Sequence, residues 1–493
     1  MADAVKGIDL DRETRHEARR SKRKQQLLKW ARDLAADRDK WIRRNSFYYD
    51  DDRLYMRFLV PEGARVLELG CGTGQLLTAL RPSVGVGVDI SPEMVSEARR
   101  QHPQHTFFAA DMEDPSALAA LGGPFDVIVL SDAIGYLEDC QRTFELLHTL
   151  CHRDTRLVIA YFSQVWRPVL RLGEIAGQKM PQPAQNWLTQ GDIENLLTLA
   201  DFEPIKREWR QLVPKRLGGI GPFVNRYVGT LPGVRRLSLR HYVVARPVRD
   251  VTMKNPSASV IIPCRNEAGN VEPAIQRLPQ FCDDLEIVFV EGHSKDNTVA
   301  EIERVMRDYP ERDITFVQQD GRGKGDAVRK GFDVARGDIL MILDADLTVA
   351  PEDMGKFYDA IVSGKGEYVQ GSRLVYPLEP GAMRPLNSVA NHTFARLFSW
   401  LLNQHITDTL CGTKVLTAAH YRALQEGRSY FGEFDPFGDF DLIFGAAKLN
   451  LKMLELPVRY ADRSYGSTQI SRFKDGVLLL RMVMFAFRKL KAI

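Results

Sequence analysis

Val66-Leu67-Glu68-Leu69-Gly70-Cys71-Gly72-Thr73-Gly74 passes from an apolar burst into three glycines spaced two residues apart. Residues 65–69 are predicted to form a buried strand and residues 75–80 to begin a helix, so the glycines occupy the strand-to-helix turn. Glycine has no Cβ, so a ligand can approach the backbone closely at such a turn. The stretch contains no Lys followed by Ser or Thr, which excludes a P-loop. Its spacing also differs from the Gly-x-Gly-x-x-Gly of dinucleotide sites.

Working outward, strands are expected at 84–89, 106–110, 127–130 and 157–162, with a late edge strand at 241–245. Helical patterns lie between the early ones, as at 94–100. This alternation predicts a largely parallel sheet with helices on both faces. Asp89 ends the second strand, where a carboxylate can accept from two ribose hydroxyls. Asp111 follows the third strand, on the expected adenine side. Asp132 and Tyr136 follow the fourth, and Asp132 reads as a helix cap or as a general base. Upstream, residues 12–44 are basic and helix-prone. They form either a solvated helix docked on the first domain or a surface that attracts phosphate or anionic lipid. Residues 179–189, with Trp187, are expected to cover the acceptor site as a lid.

Glu68, Gly70, Gly72, Gly74, Asp89 within Gly87-Val88-Asp89-Ile90-Ser91, Asp111 beside Met112, and Phe125-Asp126-Val127-Ile128-Val129 together resemble class I S-adenosylmethionine-dependent methyltransferases. The resemblance runs over about residues 47–245. It implies a Rossmann-like fold with S-adenosyl-L-methionine bound by Glu68, Gly70, Gly72, Gly74, Asp89 and Asp111. The acceptor is open, with Asp132 as the catalytic candidate. Ser131-Asp132-Ala133-Ile134 stands where base- and amide-methylating enzymes carry Asn/Asp-Pro-Pro-Phe/Tyr. That favours a hydroxyl or carboxyl group on a glycan or small molecule.

After a short linker at residues 247–256, with Pro247 and Pro256, a second strand series is expected at 259–262, 286–290, 314–318 and 339–344. Pro263, Asn266 and Glu267 follow the first of these strands, at the end where open α/β sheets bind ligands. Gly321-Arg322-Gly323-Lys324-Gly325-Asp326-Ala327 suits a diphosphate running close to the backbone. Asp344 and Asp346, two residues apart on an extended segment, face the same way and suit a nucleotide with a hard divalent ion.

Pro263–Glu267, the Gly323-Lys324-Gly325-x-Ala327 run, Asp344-Ala345-Asp346, Asp408–Lys414, Arg459 and Gly466–Ser471 resemble family 2 glycosyltransferases of the GT-A fold. The similarity is to the branch that holds dolichyl- and polyprenyl-phosphate sugar synthases. It runs over about residues 257–489. It implies a nucleotide-sugar donor bound by Pro263, Asn266, Glu267, Glu291, Lys324, Asp326 and Asp344. It also implies Mg²⁺ or Mn²⁺ on Asp346 and inversion at the anomeric carbon. Gly292 stands where many members have a second acid, so UDP and GDP both stay open. Asp439 and Asp441 are the base candidates, and Asp439 also fits a helix N-cap. A phosphate acceptor is already ionised and needs no base; Arg373, Arg384 and Lys414 would then anchor it.

The bulk composition agrees with two full domains: 493 residues, 44% hydrophobic and 27% charged. A net charge of +3 does not point to nucleic acid. Six scattered cysteines read as reduced thiols of a cytoplasmic protein. No signal peptide or membrane-spanning run is read. Residues 381–400 and 476–493 mix Leu, Met and Phe with basic residues, so they pack into the core or touch a membrane peripherally. The expectation is therefore α/β with two domains, a Rossmann-like methyltransferase and a GT-A nucleotide-sugar transferase. Residues 1–46 form a basic extension, 47–246 the first domain and 257–493 the second. The function expected is bifunctional, in glycan or glycolipid biosynthesis, with a glycan or polyprenyl-phosphate acceptor. The alternatives are a methylase of an unrelated metabolite and a non-catalytic methyltransferase-like scaffold.

Overall fold

The computed structural model describes residues 21–376, 385–431, 440–460, 465 and 472–493. Arg384, Asp439 and the 466–471 segment lie outside the described residues. The chain forms two compact units, residues 1–249 and 250–493.

The first unit is built on β1 (Arg65–Leu69), β2 (Val84–Asp89), β3 (Thr106–Ala109), β4 (Phe125–Ser131), β5 (Cys151–Phe162), β6 (Phe202–Arg210) and β7 (Arg240–Pro247). They lie in the order β3-β2-β1-β4-β5-β7-β6. β1 to β5 pair in parallel, while β7 runs antiparallel to both β5 and β6. Val66, Leu67 and Leu69 of β1 are fully buried, as expected of a parallel strand covered on both faces. The strand order reverses at β1, which has β2 on one side and β4 on the other. The crevice at their carboxyl ends is where such a sheet receives a ligand.

β7 was expected at the sheet edge but lies inside it, between β5 and β6. The true edge strand, β6, reads Phe-Glu-Pro-Ile-Lys-Arg-Glu-Trp-Arg and gives no apolar burst. Its buried positions include Lys206, Glu208 and Arg210. Lys206 lies over the Phe58 ring at 5.6 Å and Arg210 over the Tyr55 ring at 4.2 Å. Cation–ring contact replaces aliphatic packing there, which conceals the strand from a hydrophobicity reading.

The basic N-terminal run forms α1 (Lys22–Ala35) and α2 (Arg38–Arg44), followed by α3 (Ser46–Leu59). Ser21 caps α1, its hydroxyl accepting from the Lys24 N–H at 3.2 Å. Ala31 and Leu34 pack with Met94 and Met180, so this helix docks on the first unit. Two more helices bear on the site: α4 (Gln75–Ala79) after the glycine turn, and α5 (Arg167–Ile175) after β5.

The second unit carries β8 (Ala258–Cys264), β9 (Leu285–Glu291), β10 (Asp313–Gln318), β11 (Ile339–Ile342), β12 (Tyr368–Ser372), β13 (Lys414–Thr417) and β14 (Met453–Pro457). Their order is β10-β9-β8-β11-β13-β12-β14. β8 to β11 are parallel, β13 is antiparallel to β11 and β12, and β12 pairs in parallel with β14. The helices used below are α6 (Ala268–Arg277), α7 (Lys324–Val334), α8 (Ala418–Glu426), α9 (Phe440–Lys448) and α10 (Arg472–Ala486). Here the order reverses at β8, between β9 and β11. The segments after β8 and β11 therefore share one crevice. No helix among the described residues is long and apolar enough to cross a membrane.

Candidate active sites

In the first unit the turn after β1 needs its glycines. Gly70 and Gly72 have φ of 78° and 53°, in the left-handed region. A Cβ on Gly70 would fall 2.6 Å from Ala133, and one on Gly72 2.9 Å from the Arg38 guanidinium. Glu68 is buried and accepts the Leu77 N–H at 2.9 Å, tying β1 to the first turn of α4. Burial pushes its carboxyl up to about 8, against the pull of that hydrogen bond. Asp89 spans the turn: one oxygen accepts the Gly72 N–H at 2.8 Å, the other the Ser91 N–H at 2.9 Å. Burial raises its pKa as well, and the two backbone donors oppose that rise.

Above this turn lies a part-open cavity of about 300 Å³. Gly70, Gly72, Asp89, Met112, Asp132 and Tyr136 line it together with Arg38, Trp30, Trp41 and Tyr48. Lys179, Met180 and Gln182 also line it, so the segment read as a lid borders the cavity. Two polar atoms here are buried without a partner in the protein: Arg38 Nε and Tyr136 Oη. A cavity that holds the Asp89 carboxylate, two such orphaned atoms and the rings of Trp30, Trp41 and Tyr48 fits a polar ligand with an aromatic portion.

Two expectations change at residue level. Asp111 is not in the cavity wall; it is held by α1, with Lys24 Nζ 2.6 Å from Oδ2. Its neighbour Met112 faces the cavity instead. Asp132 does not cap a helix: it has φ of 61° and lies against Arg240, whose Nη1 is 2.8 Å from Oδ1 and 3.0 Å from Oδ2. Arg240 is wholly buried and also meets Asp52, Nε to Oδ1, at 2.9 Å. Burial pushes the Asp132 carboxyl up, while Arg240 pulls it down. The sequence reading missed Arg38, Lys24 and Arg240, because they are distant in the chain and carry no local motif.

In the second unit, Asp344 follows β11, and its Oδ1 lies 2.6 Å from Lys324 Nζ at the start of α7. Burial raises the Asp344 pKa, but Lys324, Lys414 and Arg373 outweigh it and hold the carboxyl below its ordinary range. These residues, far apart in sequence, therefore surround one charge. A Cβ on Gly412 would meet Asp344 Oδ2 and Lys324 Nζ, so glycine there leaves room for that pair. Asp346 Oδ1 accepts from the Thr348 N–H at 3.1 Å and its hydroxyl at 2.8 Å. Carboxylate oxygens at this strand end fit a hard divalent ion.

Pro263 lies within β8. Asn266 has φ of 56°; its Oδ1 accepts the Lys295 N–H at 2.7 Å. Glu267, at the start of α6, accepts from Asn270 Nδ2 at 2.6 Å. Buried Glu291 accepts from the Ser294 N–H and, at 3.2 Å, from Gln318 Nε2. Asp326 turns back to accept the Gly321 N–H at 2.8 Å, so it shapes the glycine loop. Arg373 is engaged by buried Asp408 through bonds of 2.7 and 2.9 Å. Lys414 is wholly buried, with Nζ 2.6 Å from the Cys411 carbonyl. Asp441, in the first turn of α9, pairs with Arg428 at 2.6 Å beside α8.

Residues 41–207 match the family described as "Methyltransferase domain", and residues 259–424 match "Glycosyl transferase family 2". The low-salt glycan biosynthesis hexosyltransferase Agl6 of Haloferax volcanii is 27% identical over 236 residues, 46% of this chain and 53% of that protein. The chain thus spans about half the length of that relative. The polyprenol monophosphomannose synthase of Mycolicibacterium smegmatis is 28% identical over 225 residues, 43% of this chain and 80% of that protein. Among solved structures, a SAM-dependent methyltransferase from Thermotoga maritima is 17% identical, with TM-score 0.35, covering 45% of this chain and 99% of that one.

Proposed function

From a methyltransferase domain in the first unit and a family 2 glycosyltransferase domain in the second, we propose a bifunctional enzyme of glycan or glycolipid assembly. The methyltransferase takes residues 47–246 and the glycosyltransferase residues 257–493. The observation that carries the sugar-transfer half is the Lys324–Asp344 pair, 2.6 Å apart, beside the crevice where the strand order reverses. The donor is a nucleotide-sugar, UDP- or GDP-linked. Lys324 and the backbone of the 321–325 loop hold its diphosphate, and Asp344 and Asp346 hold the Mg²⁺ or Mn²⁺. A divalent ion there offsets the charge of the departing diphosphate.

The acceptor is a polyprenyl phosphate, as the names of the dolichol-phosphate mannosyltransferase of Pyrococcus furiosus and the mycobacterial synthase suggest. Such a nucleophile is already ionised, which agrees with Asp441 being committed to Arg428. Buried Lys414 then contributes a fixed positive charge.

In the first unit, S-adenosylmethionine would supply an electrophilic methyl group. Asp89 takes the ribose hydroxyls through the lone pairs left beside its two backbone bonds. Arg38 takes the methionine carboxylate with its unpartnered Nε. The cavity wall aligns the acceptor, a glycan hydroxyl or carboxyl group, and excludes water. Asp132, raised by burial and steadied by Arg240, is the base candidate.

The test is mass spectrometry of purified protein given Mg²⁺ or Mn²⁺, a panel of nucleotide-sugars and a short polyprenyl phosphate, with and without S-adenosylmethionine. The expected product is the lipid plus one hexose. A further methyl increment links the two domains. Donor hydrolysis without a lipid product would overturn the lipid acceptor and leave a soluble one.

A further inference from the structure

Among the described residues, half of the exposed large apolar side chains fall in two short segments of the first unit, 165–175 and 217–237. Helix α5 buries none of its nine residues. Val165, Val169, Leu172 and Ile175 follow helical spacing along one face, yet Leu172 is 66% and Ile175 78% exposed. In the second segment Leu217, Ile220 and Phe223 are each more than half exposed. Leu170 packs against the core, but the rest of the apolar stripe stays uncovered, which is unfavourable in water, so the stripe calls for a second phase.

The two segments belong to one surface. Trp166, just before α5, donates through Nε1 to the Leu237 carbonyl at 2.7 Å. α5 borders the cavity above the glycine turn through Val169, and the second segment is flanked by Lys215 and Leu239, which also line it. Val169 and Lys215 are also exposed, so they stand at the cavity mouth. The charge around the mouth is one-sided. Residues 212–239 include Lys215, Arg216, Arg226, Arg235 and Arg236 and no acid, and of these Arg235 faces buried Glu208 at 3.5 Å. Helix α5 adds Arg167 and Arg171, and its Glu174 is paired with Lys179.

We propose that this rim is a docking surface for an anionic lipid bilayer, with Leu172, Ile175, Ile220 and Phe223 entering the headgroup layer. Apolar side chains interspersed with arginines, the one acid of α5 being paired with Lys179, are the chemistry that anionic lipid selects. The cavity mouth then opens onto the membrane. The methyl acceptor enters carried on a lipid, a consequence that rests on the methyltransferase reading. In the second unit, helix α10 exposes Val477, Leu480 and Met484.

The experiment is flotation of the full chain with vesicles of phosphatidylcholine alone and of phosphatidylcholine mixed with phosphatidylglycerol. Three proteins are compared: wild type, the triple variant L172D/I220D/F223D, and V477D/L480D on α10. Wild type should float with the anionic vesicles and not with the neutral ones, and the triple variant should bind about tenfold or more weakly. Calorimetric binding of S-adenosylhomocysteine, unchanged in the triple variant, shows that its first unit is folded. If wild type fails to float, or the triple variant floats like wild type, the proposal is overturned. It is also overturned if only V477D/L480D loses binding, or if the triple substitution instead splits a wild-type dimer. Flotation without any S-adenosylhomocysteine binding would keep the docking surface and sink the methyltransferase reading.

Discussion

At the residue scale, the first unit's site is set by where a buried polar atom is left without a hydrogen-bond partner. Arg38 approaches the Gly72 backbone with a buried Nε that no protein atom satisfies. If it takes the methionine carboxylate, Arg38→Ala should weaken S-adenosylhomocysteine binding by ~1.5–3 kcal/mol, about ten- to a hundredfold. Binding of methylthioadenosine, which lacks that carboxylate, should be unchanged. Calorimetry with both ligands separates this role from a loss of fold. Glu68 gives a pH prediction. Its folded pKa of about 8 lies above the ordinary 4.5, so the folded state keeps the proton longer than the unfolded chain. The associated stability is present below about 4.5 and is lost as pH rises through about 8. Glu68→Gln keeps an acceptor for the Leu77 N–H and carries no charge. Thermal melts from mildly acidic to mildly alkaline pH should therefore fall for wild type and stay flatter for the variant. Glu68, Asp89 and the glycines were legible because their spacing is local. Arg38 was not, because only folding brings α2 onto the turn.

At the element scale, α1 walls the cavity through Leu27, Trp30 and Ala31. Lys24 sits among Asp111, Glu113 and Glu138 at 2.6, 2.9 and 3.9 Å. Arg23 donates to the Gly135 carbonyl at 2.9 Å and to Asn186 Oδ1 at 3.0 Å, so the helix also clasps the lid segment. Partly buried ion pairs of this kind leave uncompensated charge when one partner is reversed. Lys24→Glu should release α1, seen as faster amide hydrogen exchange over residues 22–35. S-adenosylhomocysteine binding should weaken with it. Unchanged exchange would mean that the apolar contacts of Ala31 and Leu34 suffice to hold the helix. The basic run was visible in the sequence, but the acids it docks against lie far along the chain, Asp111 being 87 positions from Lys24 and Glu138 117 from Ser21.

At the scale of the whole molecule, each unit has its own sheet, core and site. Asp346→Asn should abolish metal-dependent sugar transfer and leave S-adenosylhomocysteine binding intact, while Asp89→Asn should do the reverse. Loss of both functions from either substitution, measured by transfer assay and calorimetry, would defeat the two-site account. Parallel strands buried on both faces write themselves into the sequence as apolar bursts, so the chain by itself determined two α/β units and the strand ends that carry Glu68, Asp89, Asp344 and Asp346. The polar edge strand β6 and the β12–β14 half of the second sheet left no such trace, because a strand's place in a sheet depends on partners remote in sequence. Only the tertiary structure decided that Asp111 and Asp441 are held by Lys24 and Arg428. It alone drew Lys414 and Arg373 toward Asp344 and left α5 uncovered at a cavity mouth. Ion pairing and burial are properties of three-dimensional neighbourhoods, and no spacing along the chain encodes them.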